Sequence, residues 1–212
     1  MPTPRIVVFD LGGVVVRICR SWKEACERAS LPAHDLLATP ANIAERKAIV
    51  KRHEIGILSD DDYYTQIAAT TAGLYTPDHV RTIHHNWTIG EYPGIPALVD
   101  DLHAKGLATG VLSNTNAHHW RLLTTPELYP TLQRIHHLHA SHLLAHAKPD
   151  RSIFDAFSER SGYQPHEIIF FDDLADNIAG AQAAGWDAVQ IDHAADTVSQ
   201  MRLHLRLRDI DI

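Results

Sequence analysis

Short apolar runs separated by longer stretches of helical periodicity restrict this chain more than any other feature of its sequence. The runs are Ile6-Val7-Val8-Phe9, Thr109-Gly110-Val111-Leu112, Ile135 to Leu138, Ile168-Ile169-Phe170-Phe171 and Ala188-Val189-Gln190-Ile191. Each has the length and the β-branched or aromatic content of a buried strand. Between them, helical patterns cover roughly 94–105, 116–124, 150–162, 175–184 and 194–205. Strand, helix, strand in succession means a crossover and parallel re-entry. The expected fold class is therefore α/β, a Rossmann-like doubly wound parallel sheet with helices on both faces.

One stretch breaks the alternation. From about Cys19 to Trp87 no strand is evident and helical patterns follow one another. Ser59 before three aspartates reads as a helix cap with acids in the first turn. Thr76-Pro77-Asp78 reads as a second start, and Gly56 and Gly73 sit where helices stop. The predicted organisation is a core of residues 1–16 and 91–212, interrupted by an α-helical cap domain of residues 17–90.

The bulk numbers narrow the function classes. No run of about 18 apolar residues exists, so a membrane span is not expected, and the amino terminus reads as a strand and not as a signal peptide. A net charge of −7 argues against nucleic acid as a partner. It leaves room for an anionic substrate, because a local cation reverses the field in one cleft. Two cysteines, Cys19 and Cys26, suggest reduced thiols and a cytoplasmic location. Five of the 16 histidines, His136, His137, His139, His142 and His146, lie close together. With no Cys or acid among them, they are expected to be solvated or core residues and not a metal site.

In open parallel sheets ligands bind beyond the carboxyl ends of the strands. Asp10 to Gly13 ends the first predicted strand, Ser113-Asn114 the second, and Asp172-Asp173 the fourth, while Lys148 precedes a helix. Singly, each has an ordinary reading: a turn aspartate, a helix cap, a solvated lysine. Adjacent acids after four apolar residues are harder to explain without a cation nearby. Together the set suits phosphoryl transfer. Carboxylates favour Mg²⁺, a hydroxyl and backbone amides hold phosphate oxygens, and a lysine balances charge.

FDLGGVVV, LSNTN, KPDRSIF and FFDDLADNIAGAQAAGW resemble, in order, the four motifs of the haloacid dehalogenase superfamily, and the match spans roughly Ile6 to Ile191. The helical insert after the first motif resembles the subfamily with a small α-helical cap. RHEIGILSDDDYY is similar to the cap of a branch that includes α-glucose-1-phosphate phosphatases. The resemblance implies Asp10 as nucleophile and Mg²⁺ ligand, with Ser113, the Asn114 backbone and Lys148 holding the phosphoryl group. Asp173 would ligate Mg²⁺ directly and Asp172 directly or through water, with the Gly12 carbonyl as a further ligand and Asn177 supporting the loop. The implied activity is a Mg²⁺-dependent phosphatase acting on a small phosphorylated metabolite such as a sugar phosphate. Arg17, Arg20 and Trp22 are candidates for reaching the ligand; their ordinary reading is two solvated arginines and a core tryptophan.

The pattern departs from the family at one position. Where the first motif usually carries a second Asp, the acid/base of both half-reactions, this chain has Gly12. Three readings follow: a leaving group that needs little protonation, as in a sugar 1-phosphate; a replacement His from the cap or the 136–146 stretch; or a weakly active protein that binds a phosphorylated ligand. The pair Asp172-Asp173 argues against a metal-free dehalogenase.

Overall fold

The computed structural model describes residues 4–34, 36 and 39–212. In chain order the elements are β1 (Ile6–Phe9), β2 (Val16–Ile18), α1 (Trp22–Arg28), α2 (Pro40–Glu54), α3 (Asp60–Ala69), α4 (Pro77–His85) and β3 (Thr88–Glu91). They continue with α5 (Ile95–Ala104), β4 (Ala108–Ser113), α6 (Ala117–Leu123), β5 (His137–Ala140), α7 (Ser141–Leu144), α8 (Arg151–Ser161), β6 (Ile168–Asp172), α9 (Ala175–Ala183), β7 (Asp187–Gln190) and α10 (Thr197–Arg206).

The main sheet has the order β5-β4-β1-β6-β7, with each neighbouring pair parallel. Its central strand shows why an unbroken apolar run is required. Val7 and Phe9 face one core with Leu98 and Leu102 of α5 and Met201 of α10. Ile6 and Val8 face the other, with Phe154 and Phe157 of α8 and Trp186. Successive side chains of a strand point to opposite faces, so a strand covered on both sides has no polar position to spare. The chain moves from β1 to β4 and β5 on one side, then crosses to β6 and β7 on the other. The crevice of this switch opens at the carboxyl ends of β1, β4 and β6.

The insert holds α1 to α4 around its own apolar cluster, which includes Cys26, Tyr63, Tyr64, Ile67 and Ile83. Its helices start where short polar side chains take up free amides. Ser21, Ser59 and Thr76 accept from the amides of Glu24, Asp62 and His79. Gly56, one residue past the end of α2's cap, has φ of +76°, a turn that a side chain would strain. At its two ends the insert is joined by an antiparallel ribbon of β2 and β3. Nothing in the sequence marks this ribbon, because β3 reads TIGE and is only half-buried.

Two expectations shift. The strand expected at Ile135 to Leu138 runs from His137 to Ala140, pairing Gly110 with His137 and Ser113 with Ala140. Ile135 instead plugs the apolar core at the end of a short 3₁₀ turn. A half-buried edge strand tolerates His at alternate positions, which the search for an apolar run passes over. The last helix begins at Thr197 and not near 194, because the Asp196 side chain caps it through the Ser199 amide. No helix is long and apolar enough to cross a membrane among the described residues.

Candidate active site

β1 leaves the sheet at Asp10, whose amide still donates to the Phe171 carbonyl at 2.8 Å. The chain then folds back on itself: the amides of Val15 and Val16 donate to the Leu11 carbonyl at 3.0 and 2.7 Å. Gly13 has φ of +92°, and a Cβ there would collide with the Arg20 guanidinium and lie 2.6 Å from Asp173 Oδ2. This turn holds the Asp10 carboxylate at the carboxyl edge of the sheet while letting Arg20 approach from the insert.

Lys148 is the hub. It is 5% exposed, and its Nζ donates to Asp10 Oδ1 at 2.8 Å and to Asp172 Oδ2 at 2.6 Å. Its backbone is clamped by Asn114, whose Nδ2 donates to the Lys148 carbonyl at 2.9 Å and whose Oδ1 accepts from the Lys148 amide at 2.8 Å. The Asn114 side chain thus fixes the lysine, a contact its place after β4 did not announce. Helix α6 is capped by Asn116, not by Ser113-Asn114, so that ordinary reading of the pair does not apply.

Asp172 is fully buried and firmly oriented: Asn177 Nδ2 donates to both of its oxygens at 3.0 Å, and the Leu174 amide donates to Oδ1 at 2.8 Å. Asp173 accepts from Arg20 Nη1 at 2.8 Å. One oxygen from each of Asp10, Asp172 and Asp173 lies within 4.8 Å of the others, and among the described residues this is the group of acids, His and Cys that converges in this way. Three buried carboxylates against two cations leave an unbalanced negative charge. Oxygen donors, crowded and under-neutralised, fit a hard divalent cation.

The crowding is visible in protonation. Burial pushes the Asp10 carboxyl up to about 6; Lys148 opposes the rise, and Asp172 and Asp173 add to it. Burial alone would lower the Lys148 ammonium, but its two carboxylate partners outweigh it and hold it charged.

A cavity of about 370 Å³ opens over this edge, with Gly12, Ser113 and Asn114 on the core side and Trp22, His53 and Glu54 on the insert side. Of the three residues proposed to follow the first motif into the cleft, Trp22 lines the cavity, Arg20 pairs with Asp173, and Arg17 is exposed. Arg20 is exposed too, as its ordinary reading has it, but its guanidinium is held by Asp173. The 136–146 histidines do not line this cavity. His137 and His139 pack edge-on against Tyr163 and Phe157, and His142 Nδ1 lies 3.2 Å from the Thr115 carbonyl oxygen. Besides His53, two other histidines line it. His84 and His119 stack with centroids 3.9 Å apart, and burial pushes His119 down to about 4, so this pair is neutral at pH 7.

Sequence reading did not single out Glu54, Arg20 as a partner of Asp173, or the His84–His119 pair. Glu54 has one local signal, an acid on the last turn of a helix just before the stop at Gly56. Its approach to the core depends on how the insert folds back.

A model of the haloacid dehalogenase-like hydrolases matches residues 4–185, most of the chain and all of the segments just described. The chain belongs to this family. Its fold is close to that of the haloacid dehalogenase family enzyme BT-2542 from Bacteroides thetaiotaomicron, with a TM-score of 0.80 at 20% identity over 95% of this chain and 100% of that one. A complex of that enzyme with magnesium and inorganic phosphate aligns with a TM-score of 0.73 at 22% identity, covering 91% of this chain and 96% of that one. By sequence, the chain is 30% identical over 110 residues to phosphatase MT3486 of Mycobacterium tuberculosis (strain CDC 1551 / Oshkosh), 50% of this chain and 48% of that protein. The chain thus spans about half the length of that relative. It matches 10% of mouse acyl-CoA dehydrogenase family member 10, at 32% identity over 113 residues or 52% of this chain.

Proposed function

We propose that this hydrolase is a Mg²⁺-dependent phosphatase that cleaves a small phosphorylated metabolite through an aspartyl-phosphate on Asp10. The observation that carries the reading is the buried constellation of Asp10, Lys148, Asp172 and Asp173 at the carboxyl edge of the sheet, whose chain neighbours Leu11 and Gly12 line a cavity together with Ser113 and Asn114. Asp10, Asp172, Asp173 and the Gly12 carbonyl would hold Mg²⁺, which when bound supplies positive charge against the phosphoryl oxygens. Lys148 keeps Asp10 ionised and oriented, so that a carboxylate oxygen is free to attack phosphorus. Ser113 and the amides at the end of β4 hold the phosphoryl oxygens during transfer. Residues 17–90 act as a cap that shields this chemistry from bulk water, and the cavity volume suits a compact substrate such as a hexose 1-phosphate. Two buried free thiols fit a cytoplasmic setting.

Purified protein assayed against a panel of phosphorylated metabolites, with Mg²⁺ and with chelator, tests this reading. Metal-dependent phosphate release that disappears in Asp10→Asn is expected. Full turnover in that variant would remove Asp10 as nucleophile, and halide release from a 2-haloacid in chelator would move the chain to the dehalogenases. Gly12 favours a second reading, a protein that binds a phosphorylated ligand and turns it over slowly. That reading expects tight binding of a panel compound with no hydrolysis.

A further inference from the structure

Position 12 lines the cavity without a titrating group. A Cβ on Gly12 would lie 2.9 Å from Ile18 Cδ1, the flexible end of a side chain on the first strand of the ribbon, so Ile18 packs over the position from which a side chain would start. Any proton donor for the leaving group must come from another wall of the cavity.

Glu54 occupies that wall. It lines the main cavity with Gly12, Ser113 and Asn114, and it also lines an adjoining hollow with Asn114 and Lys148. Its position is fixed by the core and not only by the insert. Ser141 Oγ donates to the Glu54 carbonyl at 2.6 Å and is itself within 2.9 Å of both the Thr115 amide and the Thr115 carbonyl oxygen. Gly56 lets the helix end press further inward, since a Cβ there would lie 2.8 Å from the His142 carbonyl oxygen. The last turn of α2 is thereby pinned against the ends of β4 and β5, near enough for the charges of Lys148 and Asp10 to act on the Glu54 carboxyl. No hydrogen-bond donor holds the Glu54 carboxyl among the described residues, unlike Asp10, Asp172 and Asp173.

We propose that Glu54 is the general acid and base of this hydrolase, a role delivered from the cap in place of the missing side chain at Gly12. The proposal rests on the phosphatase reading. In the first step an Asp10 oxygen bonds to phosphorus, and the bond from phosphorus to the ester oxygen breaks. Its electron pair stays on that oxygen, which takes the proton of the Glu54 carboxyl and leaves as the alcohol. In the second step Glu54, now a carboxylate, takes a proton from water as the water oxygen bonds to phosphorus. The bond from phosphorus to Asp10 breaks, returning a carboxylate at Asp10 and releasing inorganic phosphate.

The surroundings fit a group that serves in both directions near neutrality. Burial pushes the Glu54 carboxyl up to about 7, with Lys148 opposing the rise and Asp10 adding to it. From α3, the Tyr63 phenol is raised by burial and by Glu54 itself, so it stays protonated. Along α2, Lys47 and Lys51 line the outer hollow, and Arg46 lines both it and the main cavity. His53 is paired with Asp60, and His142 of α7 is turned toward the Thr115 carbonyl. The cavity histidines are poorer donors, since burial holds His84 and His119 neutral.

The test uses Glu54→Gln, which keeps shape and removes the titrating proton, with Mg²⁺ and two probes, 4-nitrophenyl phosphate and phenyl phosphate. Steady-state hydrolysis of phenyl phosphate, whose leaving group needs a proton, is expected to fall by about 10²–10⁴. First-turnover release of 4-nitrophenolate, which needs none, should stay within a few-fold of wild type. Acid quenching should then trap a phosphoenzyme that accumulates in the variant and not in wild type. The alkaline decline of kcat/KM for phenyl phosphate should vanish, and Glu54→Asp should restore part of the rate. If Glu54→Gln matches wild type in both rates and traps no phosphoenzyme, or only raises KM, Glu54 is not the acid and base and the phosphatase reading stands. If wild type itself forms no phosphoenzyme and hydrolyses neither probe, the phosphatase reading falls and this proposal falls with it.

Discussion

Asp10→Asn should make the metal-free protein more stable, and increasingly so as pH rises. Asp10 is buried beside two other carboxylates, and its pKa moves from 3.8 to about 6 on folding. An acid whose folded pKa is raised binds protons more tightly in the folded state. Stability from this group is therefore full below pH 3.8 and is lost as pH rises toward 6. The displacement corresponds to ~3 kcal/mol above pH 6. Asparagine resembles the protonated carboxyl, keeps an oxygen facing Lys148, and carries no charge against Asp172 or Asp173. The variant should then exceed wild type by about 3 kcal/mol at pH 8 and by less than about 1 kcal/mol at pH 4. For a chain of this size the pH 8 gap is roughly 5–10 °C in Tm. Urea and thermal unfolding of both proteins in chelator, at several pH values between 4 and 8, measure it. A variant no more stable than wild type at pH 8, or a gap independent of pH, would show that Lys148 and Arg20 already neutralise the cluster. The three carboxylates would then carry no unmet demand for a further cation.

Two further outcomes follow from the same ion pairs. Lys148→Met leaves Asp10 and Asp172 facing each other without their shared cation, and breaking a buried pair from one side costs about 3–5 kcal/mol. Urea unfolding in chelator at pH 8 should show this loss, and combining the change with Asp10→Asn should recover part of it. Arg20→Gln frees Asp173 from a charge-assisted bond of about 1.5–3 kcal/mol, so Mg²⁺ should bind roughly tenfold more tightly by titration calorimetry. Unchanged or weaker Mg²⁺ binding would mean that Arg20 does not compete with the cation for Asp173.

Much of the core was legible in the sequence because burial on both faces of a parallel sheet leaves a strong local mark. Ile6 to Phe9 and Ile168 to Phe171 are apolar at every position for that reason. The acids that end these strands are equally visible, since Asp10, Asp172 and Asp173 break apolar runs abruptly. Local chemistry also announced the caps at Ser59 and Thr76. Edge elements were less visible. β5 is half-buried and rich in His, and the ribbon of β2 and β3 is three and four residues long, so neither carries a periodicity that separates it from a loop.

The sequence by itself determined the parallel sheet, the order of its acidic strand ends and the absence of a side chain at Gly12. Only the tertiary structure decided what surrounds them. Lys148 stands 138 positions from Asp10 yet lies 2.8 Å from it, and Arg20 reaches Asp173 across 153 positions. Glu54 belongs to a different helix from every motif of the core and meets them because Ser141 and Gly56 draw the end of α2 inward. Such contacts leave no trace in local periodicity. They are fixed by how an insert packs over a sheet edge, which depends on side chains distributed along the whole chain.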